Sequence, residues 1–205
     1  WLLSGIYIVE PAEVGVVLRF GAYNRMTEPG PHYHFPYPIE TAFTPKVAEI
    51  RRVEVGFRSL AEGSQFRQTQ VRLVPEESLM LTGDENIVDV QFIIQYQIRD
   101  AQKYLFNVSD QHETVKSAGE AAMRAVIGDN KIDSVLTAGK LEIQNQTADT
   151  LQGILDRYEA GIRVVAVQLK DVNPPKEVVE AFKDVASARQ DKSRIINEAD
   201  AYRNE

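Results

Sequence analysis

Hydrophobic and polar positions along the chain fall first into alternation. From Glu13 onward, Val14, Val16, Leu18 and Phe20 are separated by single residues, which predicts a half-buried strand with those four side chains on one face. Val53, Val55 and Phe57 repeat the pattern. The clearest case is a pair of arms. Leu79 and Leu81 are followed by a turn at Thr82-Gly83-Asp84-Glu85-Asn86 and then by Val88, Val90, Phe92, Ile94, Tyr96 and Ile98. Between the residues of the second arm stand Asp89, Gln91, Ile93, Gln95 and Gln97, so one face is apolar and the other mostly amide. That division predicts an antiparallel sheet with one solvated or interfacial side.

The period then changes. Val115, Ala118, Ala122 and Val126 lie on one stripe of a helix over 110–126, with Gly128 placed as its stop. The small residues on that stripe predict close packing. A second helix is predicted over 141–158, with Ile143, Thr147, Leu151, Ile154, Leu155 and Tyr158 facing inward and Gly161 ending it. The β-branched run 162–172 reads as a strand buried on both faces. Pro174-Pro175 resets the chain, and neither Pro nor Gly occurs again before Glu205. Lys176 to Glu205 therefore reads as one helix, about 45 Å long at about 1.5 Å per residue. Its apolar positions Val178, Phe182 and Val185, then Ile195, Ile196, Ala199 and Tyr202, mix steps of three and four as a helix–helix seam requires. A solvated, charge-laced helix is the competing reading.

Three stretches do not follow either period. Residues 28–39 carry several prolines, which deny ladder donors, and predict an extended loop ordered by packing. Its rings Tyr33, Phe35 and Tyr37 either reach lipid headgroups, where amphipathic aromatics are favoured, or cover the sheet. Residues 58–77 are polar with scattered Gly and Gln and read as a mobile loop or hairpin tip. The opening run from Trp1 to Val9 is apolar but too short to cross a bilayer, which takes about 20 apolar residues as helix. It reads either as the last turns of a span, with Trp1 and Tyr7 in the interfacial belt, or as a plain first strand over Ile6 to Val9.

Composition removes several kinds of chemistry. The net charge of −7 over 205 residues repels nucleic-acid phosphates and gives no bulk attraction to anionic lipid. Cysteine is absent, which excludes disulfides, a thiolate nucleophile and cysteine-ligated zinc within this chain. His32 and His34 point the same way in extended chain, but no third metal ligand stands near them, and packing is the better reading. Asp84 and Glu85 lie in a turn beside Asn86, where short polar side chains bond the local backbone rather than perform acid–base chemistry. There is no Gly-x-Ser-x-Gly elbow, and Gly139-Lys140 lacks the upstream glycine and following hydroxyl of a phosphate loop.

Several stretches together resemble one family in order and spacing. They are Glu13-Val14-Gly15-Val16-Val17-Leu18-Arg19-Phe20-Gly21, Glu28-Pro29-Gly30 with its aromatic-proline continuation, and Asp84-Glu85-Asn86-Ile87-Val88 ahead of the long amphipathic strand. Across nearly the whole chain this resembles an SPFH or band 7 (stomatin, prohibitin, flotillin) domain. Tyr104-Leu105-Phe106-Asn107-Val108 and the entry Pro174-Pro175-Lys176-Glu177-Val178 are similar to a bacterial branch of that family. The insertion 58–77 departs from the pattern.

The resemblance implies an α+β fold: a membrane-proximal end over 1–9, two small mixed subdomains with antiparallel sheet over 10–84 and 85–173, and the start of a long coiled-coil-like helix over 174–205. It implies a non-enzymatic, single-pass protein of the bacterial inner membrane with its body on the periplasmic side, needing no cofactor or metal. Its partners would be membrane lipid, an HflC-like paralogue in a hetero-oligomeric ring or cage, and an enclosed FtsH-like membrane AAA protease whose access to substrates the cage limits. Nucleic acid is not among them. The alternative within the fold is a stomatin-like organiser of lipid microdomains or a channel regulator without a protease partner. A hydrolase would need a nucleophile with a base in reach, and none of the three histidines has an obvious serine and carboxylate constellation.

Overall fold

A computed structural model describes residues 5–60, 70–136, 139–175 and 178–204, so Trp1, the tip of the 58–77 insertion and Lys176-Glu177 lie outside it. The fold is α+β, as expected. Two regions precede the long helix.

The first is built from short strands. β1 (Ile6–Val9) pairs antiparallel with β4 (Gly30–Tyr33). β2 (Gly15–Arg19) lies between β3 (Ala22–Thr27) and β5 (Glu40–Phe43). Because β2 is central, Val16, Val17 and Leu18 are all buried, not only the even-numbered positions. Phe20 departs from the expected face. It sits with Gly21 in the tight turn into β3, both at positive φ (49° and 84°), and its ring is exposed. Glycine takes that conformation without strain, which explains Gly21. The expected proline-rich loop is partly strand: Gly30–Tyr33 forms the outer arm of a two-stranded ribbon, where Pro31 removes no ladder bond that the pair requires.

The second region is a sheet with helices on one face. β10 (Ile87–Ile98) is its spine. It pairs antiparallel with β11 (Ile162–Asn173) on one side and with β6 (Arg51–Val55) and β9 (Leu79–Leu81) on the other. All six alternating apolar residues of β10 are buried, as the pattern predicts. Over them pack α3 (Gln111–Asp129) and α5 (Lys140–Arg157), which place Val115, Ala122, Met123, Ile143, Leu151 and Leu155 in the same core. Gly119 of α3 lets the helix approach β10 closely, since a Cβ there would lie 2.1 Å from Ile94 Cδ1.

Local details correct several expectations. Asp110 caps α3 by accepting from the Glu113 N–H at 3.0 Å. The helix runs through Gly128 to Asp129, so Gly128 is not its stop. Tyr158, expected inward, is 60% exposed, just past the end of α5. Gly161, at φ 67°, turns the chain into β11. β11 is not buried on both faces, because the helices cover only one side of the sheet; it also forms the sheet edge. Side chains of α5 cover part of that edge: Gln152 accepts from Val164 N–H at 2.8 Å and donates to Ile162 carbonyl at 3.1 Å, while Gln144 accepts from Leu169 N–H at 3.1 Å.

Residues 58–77 do contain a hairpin, β7 (Phe57–Leu60) with β8 (Gln70–Leu73), followed by a one-turn helix, α1 (Pro75–Ser78). Glu77 closes this segment on itself through Arg58 at 2.7 Å and ties it to α3 through Lys116 at 3.5 Å. Two short helices, α2 (Ala101–Phe106) and α4 (Ile132–Leu136), complete the packed body. Beyond it, α6 (Val179–Asn204) is one helix of 26 residues, about 39 Å long.

Candidate interaction surfaces

The ribbon of β1 and β4 sorts its side chains by strand parity. Cross-strand partners share a face, and the register pairs Ile6 with Tyr33 and Ile8 with Pro31. All four are exposed, Ile8 at 71%. Phe35 continues the patch, its ring 6.3 Å from that of Tyr33 in edge-to-face geometry. Tyr7 and Val9 are turned the opposite way. Val9 is buried, and the Tyr7 hydroxyl shares a 2.9 Å hydrogen bond with the Thr27 hydroxyl. The structure therefore brings Tyr33 and Phe35 together with Ile6 and Ile8, places Tyr7 on the inner face, and leaves Tyr37 exposed in the following turn. Ile6 and Ile8 escaped the sequence reading, although period-two parity from Val9 was a usable signal.

A buried carboxylate holds that aromatic segment in place. The Glu40 side chain is fully buried, and Arg19, its cross-strand partner, donates to it at 2.8 Å. Arg25 donates at 3.0 Å, Asn24 at 3.2 Å and the Phe35 backbone N–H at 3.0 Å. Burial alone pushes this carboxyl up, but the hydrogen bonds from Arg25, Phe35 N–H and Arg19 outweigh it and hold the pKa at about 2. Arg25 also donates to the Tyr33 carbonyl at 3.1 Å. One buried charge thus fixes β2, β3, β5 and the start of the aromatic turn. Sequence patterning missed this cluster, because its side-chain donors stand 15 to 21 residues from Glu40 and meet it only through strand pairing.

The histidines are used locally. His32 donates to the Glu28 carbonyl at 2.6 Å and His34 to the Phe35 carbonyl at 2.8 Å, and both rings lie within 6 Å of the Tyr7 ring centroid. Asp84 also serves the backbone. It accepts from the Thr82 hydroxyl at 2.7 Å and from the Ile132 N–H at 3.0 Å, which lower its pKa and tie the β9–β10 turn to α4. No group of three or more His, Cys, Asp or Glu residues suited to a metal ion occurs among the described residues.

On α6, Ile195 and Ile196 are exposed at 58% and 49%, and Ala199 is exposed. Val178 precedes the helix and is partly exposed; Phe182, Val185 and Tyr202 lie within its span. Charged pairs flank the distal group, with Arg194 bridging Asp191 at 3.3 Å and Glu198 at 3.1 Å. No helix among the described residues is long and apolar enough to cross a membrane.

An α+β body followed in the chain by a long helix is what an SPFH-type protein is expected to have, and comparison with known proteins agrees. The model of the SPFH domain / band 7 family matches residues 7–205, and the chain belongs to that family. Among its relatives, protein HflK of Vibrio cholerae is 36% identical over all 205 residues, which cover 46% of that protein. Protein HflK of Treponema pallidum is 40% identical over 199 residues, 96% of this chain and 60% of that one. The Escherichia coli K12 relative, named modulator of FtsH protease HflK, is 33% identical over the full chain and 44% of its own length. The chain spans about half the length of the curated relatives it matches.

Proposed function

We propose that this chain is the SPFH body and first helical stretch of an HflK-like scaffold subunit. In this reading it acts without catalysis, oligomerising with an HflC-like paralogue into a ring or cage around an FtsH-like membrane AAA protease and limiting the substrates that reach it. The observation that carries the proposal is full-chain similarity to a protein named for modulating FtsH. The exposed distal apolar group of α6 supports the assembly part, since Ile195 and Ile196 gain little from water and much from a neighbouring helix. Many modest lateral contacts closing a ring give a stable assembly.

The proposed oligomer interface comprises Val178, Phe182, Val185, Ile195, Ile196, Ala199 and Tyr202. The proposed membrane-proximal set comprises Trp1, Tyr7, Tyr33, Phe35 and Tyr37, with the body on the periplasmic side of the inner membrane. The outward ribbon face of Ile6, Ile8, Tyr33 and Phe35 suits a lipid boundary, because it is apolar and aromatic. That face equally suits the second reading, a stomatin-like organiser of lipid. The two separate on copurification from detergent extracts. The scaffold reading expects an FtsH-like protease and an HflC-like paralogue to be retained, and loss of both sinks it. Ile195→Asp combined with Ile196→Asp is expected to disperse the large particle while the body stays folded; an unchanged particle size would remove the helix seam.

A further inference from the structure

With its phase set on Val178, the sequence from there through α6 keeps one heptad without a break. The a positions are Val178, Val185, Lys192 and Ala199, and the d positions are Ala181, Ala188, Ile195 and Tyr202. Every one of them except Lys192 is apolar, and Phe182 and Ile196 fall at e, beside the same seam. Along it Val178, Ala188, Lys192, Ile195 and Ala199 are exposed, so the body does not cover these positions. Lys192 is not neutralised by its own helix. Arg194 holds the carboxylates of Asp191 and Glu198, at 3.3 and 3.1 Å, and Lys192 makes no ion pair among the described residues. An ammonium on an otherwise apolar seam is costly to cover unless the facing helix supplies a carboxylate.

Helices of neighbouring subunits in a ring run in the same direction at equal heights, because rotation about the ring axis changes neither. Where two such helices pair through their a and d positions, each a residue meets the a residue of its partner. A second copy in that place would set Lys192 against Lys192, and like charges facing each other across a seam repel. We infer that Lys192 selects the helix beside α6: the seam accepts the helix of an HflC-like paralogue that carries a carboxylate opposite Lys192, and it rejects a second copy of this chain. This rests on the proposal that a paralogue stands beside this chain in a ring, and it names the residue that decides between the two neighbours.

The test is cysteine cross-linking of the intact protein in its native membrane, with Ala199→Cys one heptad beyond Lys192 and a cysteine at the matching a position of the paralogue. Residues 1–205 contain no cysteine of their own. The mixed cross-link is expected to exceed the self cross-link between two tagged copies by roughly tenfold, the effect of about 1.4 kcal/mol. Lys192→Glu should lower the mixed product by a similar factor, and replacing the facing carboxylate of the paralogue with Lys should restore it. With the paralogue withheld, a copy carrying Lys192 and a copy carrying Lys192→Glu should cross-link to each other, while two Lys192 copies should not. A self cross-link as strong as the mixed one would overturn the rejection of a second copy. A mixed product unchanged by Lys192→Glu would overturn the facing carboxylate. Absence of both products, with the paralogue and protease still retained on copurification, would overturn the α6 seam and leave the proposed function standing. Loss of that retention as well would overturn the proposed function itself.

Discussion

The strand lobe that ends at Phe43 and the helix-covered sheet that follows are stabilised by different means. The sheet layer buries a continuous apolar core, from Val53 through Phe92 and Met123 to Val172. The lobe buries only a few apolar side chains, including Val9, Val16, Val17 and Leu18, and places a charged Glu40 among its strands. Apolar burial is non-directional and scales with area, so the sheet layer tolerates any surface that is covered. The Glu40 cluster is directional, since each donor must stay within about 3 Å of one carboxylate. The lobe can therefore hold Tyr33 and Phe35 outward, because their backbone is anchored.

The largest expected effect is in the sheet layer. Phe92→Ala leaves a cavity between β10 and α3 and should cost about 3 to 5 kcal/mol, read as a shift of the denaturant midpoint for the whole chain. Glu40→Gln should cost about 2 to 3 kcal/mol, because it leaves two guanidinium groups facing a neutral amide, and their water access keeps the loss below that of a fully buried pair. Hydrogen exchange should show this loss across β2, β3 and β5 with α3 and α5 unchanged. A uniform loss would mean that the two regions are not separable.

The same carboxylate gives the lobe its own acid response. Its folded pKa, about 2, lies below the ordinary value of 4.5. Its stabilisation is therefore complete above about pH 4.5 and is lost as pH falls toward 2. Exchange protection of the lobe should fall over that window in the native protein, with this component absent from Glu40→Gln. Smaller again is Tyr7→Phe, which removes the hydroxyl shared with Thr27 and should cost about 0.5 to 1.5 kcal/mol. Ile8→Gln, on the outward ribbon face, should change stability by no more than about 0.5 kcal/mol, measured by thermal melting. A larger loss would show that the face is already used within the lobe.

Much of the sheet layer was legible because its signals are local. The alternation of β10, the stripe of α3 and the turn at residues 82–86 each depend on neighbours within a few positions. Legibility failed where partners are distant. The fate of Phe20 depends on the turn into β3, the one-sided burial of β11 on helices that cover a single face of the sheet, and the role of Glu40 on arginines brought together by pairing. Of the candidate surfaces, the apolar positions of α6 were visible as spacing. The outward pairing of Ile6 and Ile8 with Pro31 and Tyr33 required the register of β1 on β4.

By itself the sequence determined the α+β class, the elements of the sheet layer, the family and the long terminal helix, because periodicity, proline placement and motif order are properties of contiguous residues. Only the tertiary structure decided which strands lie at edges, which rings face outward, and that a carboxylate rather than apolar packing organises the first lobe. Each of those depends on pairs far apart in the chain, and their meeting is set by register and layer packing rather than by any local preference.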